Sequence, residues 1–200
     1  VIQGKEAVTV EEIRETEILQ LIRDDEWMMT ILATVQSLNL PDWWVCAGFV
    51  RSKVWDTLNH YEERTPLPDI DVIYYDTSCL DEKEEKRMEQ MLNTLHPGEP
   101  WSVKNQARMH LANNVSPYSS SFDAISKFPE TATALGVKMD DQDQLLLAAP
   151  HGVEDVLKMR VTPTPYFRES PERLKLYQDR VAKKAWNLQW GNVRIEEMCK

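Results

Sequence analysis

Between Trp43 and Tyr75 the apolar period changes twice, and this stretch constrains the fold more than any other. Trp43-Trp44-Val45-Cys46-Ala47 is an unbroken apolar run, short and closed by Gly48, which reads as a buried strand. Phe49, Val50, Val54 and Leu58 then recur at helical spacing. Thr65-Pro66-Leu67-Pro68 has to be extended or turning, because each proline holds the residue before it out of the α region. Ile70 to Tyr75, rich in β-branched and aromatic residues, reads as a second strand. Strand, helix and strand in so short a span call for an α/β or α+β core.

The flanking sequence fills in that core. Thr9 and Glu12 have capping-box spacing before a helix carrying Ile13, Ile18, Leu19, Leu21 and Ile22. A second helix runs from about Asp25 to Leu38, and Pro41 ends it. Asp81 to Leu95 is a charged helix stopped by His96-Pro97-Gly98. Trp101 to Leu111 alternates as a half-buried strand, with Trp101, Val103, Ala107, Met109 and Leu111 on one face. Ser102, Lys104, Gln106, Arg108 and His110 form the other face, and Asn105 is a polar intruder on the apolar side. Ser119 or Ser120 caps a short helix reaching Phe128, and Thr131–Met139 with Leu145–Ala149 forms a hairpin. A short helix at Val153–Leu157, a stiff connector at Thr162–Pro165 and a helix from Pro171 to Trp186 complete the chain. The expectation is one domain over residues 1–200. It has a helical segment at 1–40, a core at 42–165 holding a mixed sheet of about five strands flanked by helices, and a C-terminal helix and tail at 166–200.

Composition narrows the function classes. Hydrophobic residues at 42% and charged residues at 28% suit a globular chain and exclude a disordered one. No apolar stretch approaches the roughly 20 residues that span a bilayer, and no basic-then-apolar leader follows Val1, so nothing marks the chain for export. Cys46, Cys79 and Cys199 form neither a disulfide framework nor a CxxC pair, which favours a reduced, cytoplasmic setting. A net charge of −10 repels long nucleic acid, whereas a single nucleotide screened by magnesium is not repelled in this way.

The chemistry-bearing residues cluster in the opening stretch. Asp69 and Asp71 stand two apart on one strand, so their side chains leave the same face with Cα atoms about 7 Å apart. Two such carboxylates repel, and a hard divalent cation removes the penalty; oxygen-only ligands favour magnesium over zinc. Gly48, at a strand-to-helix turn, lets backbone N–H groups approach a phosphate, and Arg51 one turn on adds a charged fork. Singly, each has a plainer use: the acidic pair as a solvated strand edge, the glycine as a turn. Lys104 and Arg108 would share the face of the acidic pair if the sheet is continuous, as phosphate ligands or as a solvated row. Trp43, Trp44 and Trp55 read as core. Arg160, Arg168, Arg173 and Arg180 read as local ion pairs or a phosphate clamp, and the four histidines have no metal-ligand spacing.

Ala47-Gly48-Phe49-Val50-Arg51 followed by Asp69-Ile70-Asp71-Val72 resembles the DNA polymerase beta nucleotidyltransferase superfamily. A longer run resembles a bacterial nucleotidyltransferase-like family within it: Asp42-Trp43-Trp44, Thr65 to Asp71, Trp101 to His110 and Phe128 to Gly136. The likeness covers roughly residues 42 to 165. It implies transfer of a nucleoside monophosphate from an NTP, with magnesium held by Asp69 and Asp71, and does not supply the acceptor; the acidic charge points to a small molecule or a protein. It also implies a third carboxylate on a later strand, and Trp101–Leu111 holds none; Asp123 and Glu130 are the remaining candidates. Ala47-Gly48 replaces the superfamily's usual paired glycines or Gly-Ser. The alternative reading is a catalytically degenerate module of the same fold that binds nucleotide or a protein.

Overall fold

The computed structural model describes residues 10–196. The cap expected at Thr9 lies outside the described residues, as do Cys199 and the side chains of residues 10–13. Helices α1 (Val10–Arg23) and α2 (Glu26–Gln36) lead in, with the Asp25 side chain accepting from Met28 N at the start of α2. Strand β1 (Trp44–Cys46), helix α3 (Gly48–Leu58) and strand β2 (Ile70–Tyr74) follow as the change of period predicts. Helix α4 (Glu82–Leu95) precedes strand β3 (Trp101–Asn105), helix α5 (Gln106–Asn113) and helix α6 (Ser121–Ser126), which Ser120 caps. The hairpin is β4 (Gly136–Met139) and β5 (Leu145–Ala148). Helix α7 (Glu154–Leu157), strand β6 (Arg160–Val161), helices α8 (Pro165–Arg168), α9 (Pro171–Lys184) and α10 (Trp186–Gln189), and strand β7 (Arg194–Ile195) close the order.

Five strands form one mixed sheet in the order β3-β2-β1-β4-β5, parallel between β2 and β3 and antiparallel elsewhere. One face carries Val45, Ile70, Val72, Trp101, Val103 and Val137 into the larger core, with Ile31 and Leu32 of α2 and Phe49 and Val50 of α3. The other face carries Trp44, Cys46, Ile73 and Ala148 into a smaller cluster with Ile125 of α6. Gly136 packs closely there: a Cβ would stand 3.0 Å from Ile125 Cδ1 and 3.1 Å from Cys46 Sγ, so those side chains would have to give by a few tenths of an ångström. Among the described residues no helix is long and apolar enough to cross a membrane.

Three expectations are corrected. The strand expected over Trp101–Leu111 ends at Asn105, because the Asn105 carboxamide turns back as a helix cap. Its oxygen accepts from Ala107 N at 3.1 Å, and its nitrogen donates to Asp76 O and Cys79 O. The strand expected from Thr131 begins only at Gly136; residues 131–135 form turns in which Glu130 O accepts from Thr133 N and Ala134 N. The last helix breaks at Ala185, whose left-handed φ of 46° separates α9 from α10. The β6–β7 pair was not anticipated, each strand being two residues long.

Candidate functional site

The turn from β1 into α3 carries a strained residue. Ala47 has φ 58° and ψ −116°, a conformation open to glycine and costly for a side chain by about 1–3 kcal/mol. Its N–H donates to Leu135 O at 2.9 Å, and its carbonyl accepts from Arg51 N at 3.1 Å, so sheet and helix both pin it. No side chain caps α3 and no acid stands in its first turn, so the helix start keeps its positive end. A Cβ on Gly48 would lie 3.5 Å from Arg51 Nη2 and 3.6 Å from Leu67 Cδ2, both ordinary contacts. Packing inside the protein therefore does not demand glycine there.

The acidic pair lies beside this turn. Antiparallel pairing of β1 with β2 sets Asp71 opposite Cys46, on the face of the smaller cluster. Asp69 precedes the strand and is exposed; Asp71 is half-buried. Burial, and then the charge of Asp69, push the Asp71 carboxyl up to about 6, while Arg180, Lys184 and Arg51 act against the rise. The segment leading into Asp69 is anchored by buried Asp56 of α3, which accepts from Thr65 N at 2.9 Å, Thr65 Oγ1 at 2.7 Å and Trp190 Nε1 at 2.7 Å.

Arg51 lies beneath the turn, only 7% exposed. Its guanidinium stands over Trp55, Trp186 and Trp190 at 5.2, 4.6 and 5.9 Å from the ring centroids. Nη1 donates to Thr133 Oγ1 at 3.2 Å and Nη2 to Ser52 Oγ at 3.3 Å, while buried Nε has no partner. Burial pulls its pKa down to about 10, with Glu130 the leading charge opposing the fall, so it stays cationic at neutral pH. Trp43, Trp44 and Trp55 are buried.

The two remaining acids part company. Glu130 is fully buried beside Arg51, with Oε1 accepting from Arg180 Nε at 2.7 Å and Oε2 unpartnered. Asp123 is spent on α6, accepting from Ser119 N at 2.9 Å and Lys127 Nζ at 3.0 Å. Lys104 and Arg108 belong to another cluster. The expected row Lys104, Gln106, Arg108, His110 does not form a strand face, because α5 starts at Gln106. Lys104 shares the Asp71 side of the sheet by register, but its ammonium reaches Glu85 of α4 at 3.4 Å. Arg108 grips Glu85 through Nε at 3.0 Å and Nη2 at 2.8 Å.

Arg180 and Lys184 of α9 thus act on Asp71 through their charge. The sequence offered Arg180 only within a C-terminal series of arginines and gave no sign of Lys184, since nothing local links α9 to β2. Among the described residues no three His, Cys, Asp or Glu side chains gather as a metal cluster. Asp69 and Asp71 are a two-carboxylate set of oxygen donors.

Comparison with known proteins bears on the family and the fold. A family model described as nucleotidyltransferase matches residues 33–195. A solved structure described as revealing a CCA-adding enzyme head domain is 36% identical, with a TM-score of 0.81 over 96% of this chain and 99% of that one. A CCA-adding enzyme in complex with CTP is 16% identical with a TM-score of 0.56, and the Thermotoga maritima CCA-adding enzyme complexed with tRNA is 15% identical with a TM-score of 0.53. These two share the fold; the match covers 91% and 92% of this chain but only 43% and 42% of theirs. No curated protein sequence matches the chain.

Proposed function

Because the chain belongs to this nucleotidyltransferase family, we propose that it moves a nucleoside monophosphate from an NTP to a small-molecule or protein acceptor, with magnesium held by Asp69 and Asp71. The observation that carries the reading is the meeting of three features: the uncapped start of α3 at Gly48, the Asp69–Asp71 pair, and the cations of α3 and α9. Magnesium keeps several waters and takes phosphate oxygens, so two carboxylates are a sufficient protein share. The raised Asp71 carboxyl marks a pair that a cation would relieve. When bound, magnesium would supply charge neutralisation of the triphosphate and acidify the acceptor hydroxyl.

The chain's own residues orient and neutralise. Backbone N–H groups at Gly48 and the end of α3 receive phosphate oxygens, and Arg51 supplies a fixed buried charge below them. The acceptor oxygen attacks the α-phosphorus, the bond to the bridging oxygen breaks, pyrophosphate leaves, and the acceptor proton passes to water. The net charge of −10 favours a small or protein acceptor over a long nucleic acid.

A second reading has its own support: no third acid completes a cluster with Asp69 and Asp71 among the described residues, which suits a module that holds nucleotide without turnover. Incubating the protein with each NTP, magnesium and a cell metabolite extract, and measuring pyrophosphate, separates the two. The enzyme reading expects release that Asp69→Asn and Asp71→Asn both abolish. Nucleotide binding without release supports the module instead.

A further inference from the structure

Two arginines are linked beneath the β1–α3 turn, because Arg180 bonds Glu130, the Glu130 carbonyl accepts from Thr133 N, and Thr133 Oγ1 accepts from Arg51; they differ in what they have left to give. Arg51, the one next to the phosphate turn, is buried under three tryptophans with both Nη groups donated to protein oxygens. Arg180 is the opposite case. Its side chain is 36% exposed, and among the described residues its one hydrogen bond is Nε to Glu130 Oε1. A guanidinium carries five N–H donors in a fixed fork, so the Nη edge stays available while the Nε edge is tied.

Glu130 explains why that edge is tied. It is fully buried, yet Arg180 is the partner of one oxygen only and the other has none. An unsatisfied buried carboxylate oxygen is costly, and a well-packed apolar residue would serve stability better. What the acid does provide is one rotamer for a long side chain that otherwise has many.

We infer that Arg180 is the side chain that grips the polyphosphate of the nucleotide, and that Glu130 is its positioning residue, touching neither metal nor substrate. The assignment rests on the nucleotide reading of the site above and extends it to α9. It also accounts for the third acid: Glu130 belongs to the site through Arg180 and not as a third metal ligand.

Calorimetric titration with inorganic tripolyphosphate and with each NTP, all with magnesium, tests this on the parent, R180Q, E130Q and the double variant. R180Q is expected to weaken both kinds of ligand by about tenfold or more, the worth of a charge-assisted fork. E130Q weakens them less, and the double variant binds no more weakly than R180Q. That non-additivity is the mark of positioning, since a purely structural loss would persist without Arg180. If R180Q fails to fold with Glu130 left unpaired, the neutral double variant carries the comparison. The inference is overturned if the double variant binds tripolyphosphate as the parent does, or if E130Q weakens binding equally with and without Arg180. A parent that binds tripolyphosphate through Arg180 but no NTP sinks the nucleotidyltransferase reading and leaves the grip standing. A parent that binds NTP equally well without Arg180 does the reverse.

Discussion

Two clusters of charge sit on this sheet, and their bookkeeping differs. At the β3 edge, Glu85 is fully buried and fully engaged: Asn105 N, Arg108 Nε and Nη2, and Lys104 Nζ all donate to it. Beside the β1–α3 turn, Asp69, Asp71 and Glu130 meet Arg51, Arg180 and Lys184, and the accounts stay open. Glu130 Oε2 and Arg51 Nε have no partner, and the Asp71 carboxyl is pushed up to about 6. Similar residue types thus give a structural hub in one place and, on the proposed reading, a ligand site in the other. The difference lies in whether the protein satisfies the charges itself.

That contrast can be broken at either cluster. The largest effect on stability is expected at the hub: Arg108→Met leaves the buried Glu85 charge with Asn105 N and the half-exposed Lys104 and should cost roughly 3–4 kcal/mol. Denaturant melts would measure it, with NTP affinity unchanged in the folded variant; a loss of affinity instead would tie the hub to the site. Asp71→Asn should do the opposite and stabilise the ligand-free protein. The folded carboxyl titrates near 6 and the unfolded one near 3.8, so native stability falls as pH rises between them and then stays level. The gain at pH 7 is on the order of 2–3 kcal/mol and should vanish below about pH 4. A variant no more stable than its parent at pH 7 would remove the claim that Asp71 is held at a cost. The smallest effect belongs to the turn, where Ala47→Gly relieves the φ of 58° and should add about 1 kcal/mol, read from melting in denaturant. Destabilisation there would mean that the Ala47 methyl packs more than its backbone strains.

The open cluster was only half legible in the sequence. Gly48, Asp69 and Asp71 were readable because β1, α3 and β2 are consecutive, and adjacent pairing in the sheet joins their ends. Arg180 and Lys184 reach Asp71 from α9, far along the chain, and a helix rich in both signs reads the same whether its cations pair locally or across the fold. The burial of Arg51 was hidden for a similar reason. Two of the three rings that cover it, Trp186 and Trp190, come from the C-terminal segment. The hub was misread through Asn105. In Trp101-Ser102-Val103-Lys104-Asn105 a buried amide and an alternating strand residue look alike until the carboxamide is seen capping α5. The overall class of fold, a mixed five-stranded sheet flanked by helices, needed none of these contacts, because apolar period alone distinguished most strands from helices.

The central claim is that the open cluster is a magnesium–nucleotide site, and thermal shift tests it most directly. Each NTP is added with and without magnesium to the parent, Asp69→Asn and Asp71→Asn. The parent should rise by roughly 5–10 °C with an NTP at a hundredfold excess over Kd, and only with magnesium, while both variants show no magnesium-dependent rise. An equal magnesium-dependent rise in parent and variants would contradict the account.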